Sequence, residues 1–181
     1  MPTHLDIVDA VARPFLPVDG TPPVCLAGRV QVFIPPVQAA LWLAAQQAMA
    51  RLGAPQLGRR GRGSRGLRRA GGVLVATAAG FGGSSLRAYV ARGTTWHPWN
   101  PHHAELLITD GPNAVSRNPM YVALATGLVG TGLASRRPWT ALAGLGLVAT
   151  LTPQVRREER ALASVFGPDY DRYRARVRPW L

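Results

Sequence analysis

Apolar stretches that are almost free of charge alternate along this chain with dense arginine clusters. The apolar stretches are residues 30–49, 70–86, 120–134 and 139–151. A helix of about 20 residues reaches across a hydrocarbon core of about 30 Å. A soluble domain would instead spread its charges along elements of period 3.6 or 2. The pattern therefore predicts an all-α, integral-membrane helical bundle of about four spans.

The first apolar stretch has two interpretations. It carries no charge between Arg29 and Arg51, but it contains glutamines and two prolines, Pro35 and Pro36, which predict a kink. It is either a span or an interfacial or re-entrant helix. With four spans the inner segments carry 12 arginines and the outer segments 9, whereas with three spans the basic residues 52–69 return to the inner side. Both topologies stay open.

The second apolar stretch follows residues 52–69, which glycines and arginines predict to be a flexible basic loop. In this stretch Gly72, Ala76 and Gly80 recur every four residues. Small side chains at that spacing share one helical face, so a neighbouring helix can approach closely there.

The third and fourth stretches are short and are separated only by Ser-Arg-Arg-Pro, which predicts a tight helical hairpin with Pro138 in the first turn of the returning helix. From Arg156 the helical spacing continues to Phe166, where Gly167-Pro168 ends it. The remaining residues place aromatic side chains among arginines. They predict an amphipathic C-terminal helix that lies on a headgroup surface or packs over a site.

The formal charge of +12 comes from 21 arginines, 9 acidic residues and no lysine. The basic runs flank apolar segments and no zinc-finger or RNP-like motif is present, so anionic lipid headgroups explain them better than nucleic acid does. Cys25 is the single cysteine, which excludes an internal disulfide. The first residues lack the pattern of a cleavable signal peptide.

Two polar clusters flank the hairpin. Residues 116–121, Ser-Arg-Asn-Pro-Met-Tyr, precede it, and Glu158-Glu159-Arg160 follows it. A tight hairpin returns the chain to the side it left, so the two clusters are expected to meet. Taken singly, each has an ordinary explanation. The acidic pair can be a salt-bridge cluster, and Asn118 with Pro119 can cap and start a helix.

Together and in this order, these motifs resemble the membrane methyltransferases that include isoprenylcysteine carboxyl methyltransferases and phospholipid methyltransferases. The resemblance covers roughly residues 90–181. The matching motifs are Gly-Pro (111–112), Arg-Asn-Pro-Met-Tyr (117–121), Glu-Glu-Arg (158–160), Phe-Gly-Pro-Asp-Tyr-Asp-Arg-Tyr (166–173) and Arg-Val-Arg-Pro-Trp-Leu (176–181).

The resemblance implies a site for S-adenosylmethionine on the cytoplasmic side of a bacterial inner membrane. It implies that either glutamate accepts hydrogen bonds from the cofactor and that Arg117 pairs with a carboxylate in bidentate geometry. The residues assigned to catalysis are Arg117, Tyr121 and Glu159. The residues assigned to the cofactor are Asn118, Pro119, Tyr121, Gly130, Gly132, Glu158 and Glu159. The Gly130-Thr131-Gly132 triplet has packing between helices as its alternative role.

The expected substrate is a lipid or isoprenoid-linked molecule whose chain enters sideways between helices. Two departures weaken the isoprenylcysteine assignment, because Asn118 stands where those enzymes have His and Asn113-Ala114 replaces Tyr-Arg. The acceptor, a carboxylate or an amine, stays open. A non-enzymatic basic membrane scaffold that retains the fold is the rival interpretation.

His97, His102, His103 and Glu105 do not have the helical spacing of a zinc site, and no metal is expected. One domain is predicted over residues 1–181.

Overall fold

The structure is a computed structural model that describes residues 35–53, 56, 62–92 and 106–181. These residues belong to one compact unit, residues 33–181. Every regular element within the described ranges is helical. The α-helices are α1 (Pro35–Arg51), α2 (Arg62–Ala91), α3 (Pro119–Ala134), α4 (Leu142–Phe166) and α5 (Pro168–Arg176), and short 3-10 helices occupy Gly111–Ala114 and Pro138–Ala141. The all-α prediction is confirmed for this part of the chain.

Prolines begin helices more often than they interrupt them. Pro35 starts α1, so the expected kink at the Pro35-Pro36 pair is wrong for the described residues, where proline fits the first turn because it has no N–H to lose. Residues 30–34 of that predicted span lie outside the described residues. Pro168 starts α5 after Gly167, whose positive φ of 51° turns the chain. The predicted helix end at Phe166 is confirmed.

Helices α1, α2, α3 and α4 alternate in direction. At one end, Gln38 of α1 lies beside Gln154 near the end of α4. At the other end, the buried Gln46 donates hydrogen bonds to the carbonyls of Leu128, at 2.8 Å, and Thr140, at 2.9 Å. The bundle therefore has a site end, which carries the Glu158-Glu159 pair, and a hairpin end, which carries the turn between α3 and α4.

The buried core lies between α3 and α4. Its members are Tyr121, Ala125, Leu128, Leu147, Leu151 and Val155. Trp42 and Trp180 pack against this core from opposite parts of the chain. Apolar burial of this kind is the main stabilising contribution to such a bundle.

Helix α2 packs on α3 through a different face from the one its sequence pattern predicts. Gly72 and Gly80 have open space where a side chain would begin, and Ala76 is exposed. The close contacts come instead from Gly71, Ala78 and Gly82. The predicted face was wrong because small residues occupy most positions of this helix, so spacing alone does not select one face.

Part of the basic segment before the second apolar stretch is helical and does not form a loop. Helix α2 begins at Arg62, eight residues before the predicted start, so residues 62–69 are helical. The prediction of a flexible loop over 52–69 is wrong for these residues. Arginine has a high helix propensity and extends the helix beyond its apolar part.

None of the described helices combines the length and the apolar character needed to cross a membrane. The prediction of one domain over residues 1–181 stays a prediction, since residues 1–34 lie outside the described residues.

Candidate active site

The two polar clusters that flank the hairpin meet at the site end of the bundle. Arg117 lies just before α3, and its Nε donates a hydrogen bond of 2.7 Å to Oε1 of Glu159 on α4. The terminal nitrogen of the same guanidinium lies 2.5 Å from that oxygen. The side chain of Arg117 is 9% exposed and that of Glu159 is 21% exposed, so this ion pair is shielded from solvent on most sides. The contact expected from the topology of the hairpin is present.

Glu158 has different neighbours from Glu159. The hydroxyl of Tyr121 donates to the Glu158 carboxylate, with distances of 2.9 and 3.1 Å to its two oxygens. The side-chain amide of Gln154, one turn earlier on α4, donates to the same carboxylate at 2.9 Å. Among the described residues, no arginine forms an ion pair with Glu158. Its negative charge is therefore held by neutral donors.

Burial raises the pKa of Glu158 above its ordinary value, because a carboxylate loses hydration there. The hydrogen bonds from Gln154 and Tyr121 oppose this effect, and the nearby charge of Glu159 adds to it. A group with these properties is stabilised in its charged form when a cation approaches.

The last residues of the chain close over Arg117. Its second terminal nitrogen donates to the carbonyls of Val177, at 2.6 Å, and Arg174, at 3.1 Å. Its backbone N–H donates to the carbonyl of Arg178 at 2.9 Å. Most of the N–H groups of Arg117 are thus engaged within the protein.

Asn118 does not cap α3 with its side chain as predicted. It occupies the N-cap position, but its amide donates instead to the carbonyl of Pro179 at 2.9 Å. Ser116 donates to the same carbonyl at 3.2 Å and accepts from the backbone N–H of Asn118. Pro119 does occupy the start of the helix, as predicted.

A second buried polar group lies next to these residues. The side-chain amide of Asn113 donates to the hydroxyl of Tyr89 at 3.1 Å, and the hydroxyl of Tyr173 donates to the backbone carbonyl of Asn113 at 2.6 Å. Burial raises the pKa of Tyr173, and it raises the pKa of Tyr170 to about 12, so both phenols stay protonated. This group fixes the end of α2 and the helix α5 against the turn at Gly111–Ala114.

Gly130 and Gly132 of the predicted cofactor triplet are buried between helices. A methyl group added at Gly130 would lie 2.9 Å from the carbonyl oxygen of Gly71 on α2. At Gly132 it would lie 2.6 Å from the backbone nitrogen of Ala141. Thr131 between them donates to Gln46 at 2.8 Å. The contacts of the triplet are packing contacts, and its role in cofactor binding stays a prediction.

An apolar cleft of about 610 Å³ lies on α3 between α1 and α2. Tyr121 and Thr131 are its polar lining residues. Small residues of α2, among them Ala78, Ala79, Gly82 and Gly83, form one wall. Glu158 is not itself a lining residue, but Tyr121 lines the cleft and its hydroxyl bonds the Glu158 carboxylate.

A family model of phospholipid methyltransferases matches residues 67–169, which is more than half of the chain. The chain belongs to the phospholipid methyltransferase family. This confirms the family resemblance drawn from the motifs, and membership indicates methyl transfer to a lipid. No curated protein and no solved structure matches the chain.

The structure shows contacts at the site end that the motifs did not predict. Gln154 has no motif around it, and the acceptors for Arg117 are backbone carbonyls, which leave no signal in a sequence. The final Tyr-x-x-Tyr and Arg-Val-Arg-Pro-Trp-Leu motifs were predicted to lie on a headgroup surface or to pack over a site, and the structure shows them packed over Arg117 and Asn118. His97, His102, His103 and Glu105 lie outside the described residues.

Proposed function

We propose that this phospholipid methyltransferase transfers a methyl group from S-adenosylmethionine to a lipid acceptor, with Glu158 as the carboxylate that meets the cationic part of the cofactor. The single observation that carries the proposal is the state of Glu158. It is a half-buried carboxylate with no arginine partner among the described residues, and it accepts a hydrogen bond from Tyr121, a lining residue of the apolar cleft.

The residues at the site end fit a cationic cofactor. A half-buried negative charge that only neutral groups stabilise is costly, and a bound cation would offset that cost. Glu158 can hold the sulfonium or ammonium group, and Tyr121 and Gln154 keep its carboxylate oriented. Glu159 is less suited to this role because Arg117 already neutralises it.

When bound, S-adenosylmethionine supplies a methyl carbon that its sulfonium has already activated. The task of the protein is then to align the acceptor and to exclude water. A carboxylate acceptor releases no proton. An amine acceptor releases one, and Glu158 is the carboxylate placed to accept it, with the Tyr121 hydroxyl beside it.

The apolar cleft supports a lipid as the acceptor. Its lining residues come from α1, α2 and α3 and are almost all apolar, which suits an acyl or prenyl chain. With a chain in the cleft, the polar head of the lipid would lie near Tyr121 and Glu158. The acceptor group and the cofactor would then meet at the same carboxylate.

We further propose that the bundle lies in a membrane, as the charge distribution favours. Residues 30–50, 70–86, 118–135 and 138–155 carry no charged side chain, and arginines flank them at both ends. Large apolar side chains point outward in these segments, including Val73 at 64% and Leu145 at 64% exposed. Such a surface fits lipid contact. In this arrangement α1, α2 and α4 would present such surfaces to lipid, with the site end on the cytoplasmic side.

The direct experiment measures transfer of a labelled methyl group from S-adenosylmethionine into extracted lipids by the detergent-purified protein. We expect label in a lipid with wild type and its loss with Glu158→Gln, while an exposed control, Arg160→Ala, retains transfer. No transfer into any lipid class, together with no binding of the labelled cofactor by the wild type, would contradict the proposed function and favour a non-enzymatic scaffold. The lipid that carries label also identifies the acceptor.

A further inference from the structure

The segment 177–180 makes more contacts with the site than a surface tail needs. Three of its carbonyls accept hydrogen bonds from residues 116–118. Val177 accepts from the Arg117 guanidinium at 2.6 Å, Arg178 from the Arg117 backbone at 2.9 Å, and Pro179 from Asn118 at 2.9 Å. Trp180 then packs against the core between α3 and α4. The hydrogen bonds of residues 177–179 and the packing of Trp180 therefore hold this segment against the site.

Arg117 connects this segment to the acidic pair. One edge of its guanidinium holds Glu159, and the opposite terminal nitrogen holds the carbonyls of Val177 and Arg174. A planar guanidinium can serve these acceptors at once, whereas the ammonium of lysine is a single point charge. The position of Glu159 therefore depends on the position of segment 177–180.

The position of Glu158 depends on Glu159 in turn. Neighbouring side chains of an α-helix point about 100° apart around the axis. Holding Glu159 on Arg117 fixes the rotation of this end of α4, and this rotation directs Glu158 towards Tyr121. Without the anchor, only the hydrogen bonds from Tyr121 and Gln154 would hold the Glu158 carboxylate in its place.

We propose that Arg117 and the segment 177–180 form a positioning clamp, which orients Glu158 through Glu159 without touching cofactor or lipid. This inference rests on the proposed function, since it assigns the clamp to the same cofactor site. Arg117 is then a positioning residue, and its guanidinium is not reserved for a carboxylate of the cofactor or substrate.

Trp180→Ala tests the clamp without altering a charged group. Trp139→Ala is the matched control, because Trp139 is 60% exposed at the other end of the bundle. The measurement is the dissociation constant of S-adenosylmethionine and of its uncharged thioether product, by calorimetry on the detergent-purified protein. The ratio of the two constants reports how well a carboxylate faces the sulfonium. A general loss of folded protein lowers binding of both ligands and leaves the ratio unchanged.

We expect Trp180→Ala to lower the preference for the sulfonium about fivefold, and Trp139→Ala to leave it unchanged. In the Glu159→Gln background, the additional effect of Trp180→Ala should shrink, because the two residues act along one path. A folded Trp180→Ala protein with the wild-type ratio would overturn the clamp. If Trp180→Ala does not fold, Arg117→Lys answers the same question, with a lowered ratio supporting the clamp and a wild-type ratio overturning it. A wild type that binds neither ligand contradicts the proposed function instead.

Discussion

Two carboxylates that are neighbours in the sequence have opposite surroundings. Glu159 is paired with a guanidinium that is only 9% exposed and is covered by the final segment of the chain. Glu158 faces the amide of Gln154 and the phenol of Tyr121, and Tyr121 also lines the apolar cleft. The first arrangement pairs a charge within the protein, whereas the second leaves a carboxylate without an ion-pair partner among the described residues. Under the proposed function, Glu159 serves the structure and Glu158 serves binding, although the two are adjacent in one motif.

The largest expected effect is the loss of stability when the ion pair between Arg117 and Glu159 is removed. Arg117→Ala leaves Glu159 and two carbonyls without their donor, so we expect the free energy of unfolding to fall by about 2–4 kcal/mol. Denaturant unfolding followed by circular dichroism in detergent measures it. Arg160→Ala, an exposed arginine on the same helix, is the control. A fall no larger than that of the control would show that the Arg117–Glu159 pair does not hold the site end together.

The next effect is the difference in stability between adding a methyl group at a packed glycine and adding one at an open glycine. In Gly130→Ala the added methyl group would press on the Gly71 carbonyl and on Val75, which we expect to cost about 1–3 kcal/mol of stability. Gly80→Ala meets open space and should be neutral or slightly stabilising. Thermal unfolding of both variants measures the difference. If Gly130→Ala keeps its stability but loses cofactor affinity, then Gly130 belongs to the cofactor site as the resemblance implied.

Removing the hydroxyl of Tyr121 tests how the surroundings of Glu158 affect cofactor binding. Tyr121→Phe deletes the hydrogen bond to Glu158, which we expect to cost about 1 kcal/mol of stability. This hydrogen bond also opposes the rise in the pKa of Glu158, so the pKa should rise further in the variant. Cofactor binding measured against pH should then reach half of its maximum at a higher pH than in wild type. An unshifted pH profile would separate Tyr121 from the titrating group.

The smallest expected effect is a relative gain in stability when the charge of Glu158 is removed. Burial raises the pKa of folded Glu158 above its unfolded value, so its contribution to stability is full below the unfolded pKa and is lost as pH rises through the folded pKa. Glu158→Gln carries no such loss. We expect its stability relative to wild type to increase from acidic to neutral pH, as measured by denaturant unfolding at several pH values. A stability difference between Glu158→Gln and wild type that stays constant over this pH range would contradict the raised pKa of folded Glu158.

Local signals in the sequence predicted the parts of the fold that depend on few residues. The stop at Gly167-Pro168 and the short turn before Pro138 both act within one helical turn, and they place the polar clusters at the same end. The packing face of α2 was not predictable, because Gly71 and Gly72 are equally small and only the partner helix selects between them. The sequence also did not predict that Glu158 and Glu159 have different surroundings, because these depend on Gln154 and on backbone carbonyls far along the chain.

The measurement that tests the central claim most directly compares two substitutions in the acidic pair. S-adenosylmethionine and its uncharged thioether product are titrated into wild type, Glu158→Gln and Glu159→Gln at neutral pH. If Glu158 meets the sulfonium, wild type prefers the charged ligand and Glu158→Gln loses about tenfold of that preference. Glu159→Gln should lose less of it. Equal losses in the two variants, or a larger loss in Glu159→Gln, would contradict the assignment of the cation to Glu158.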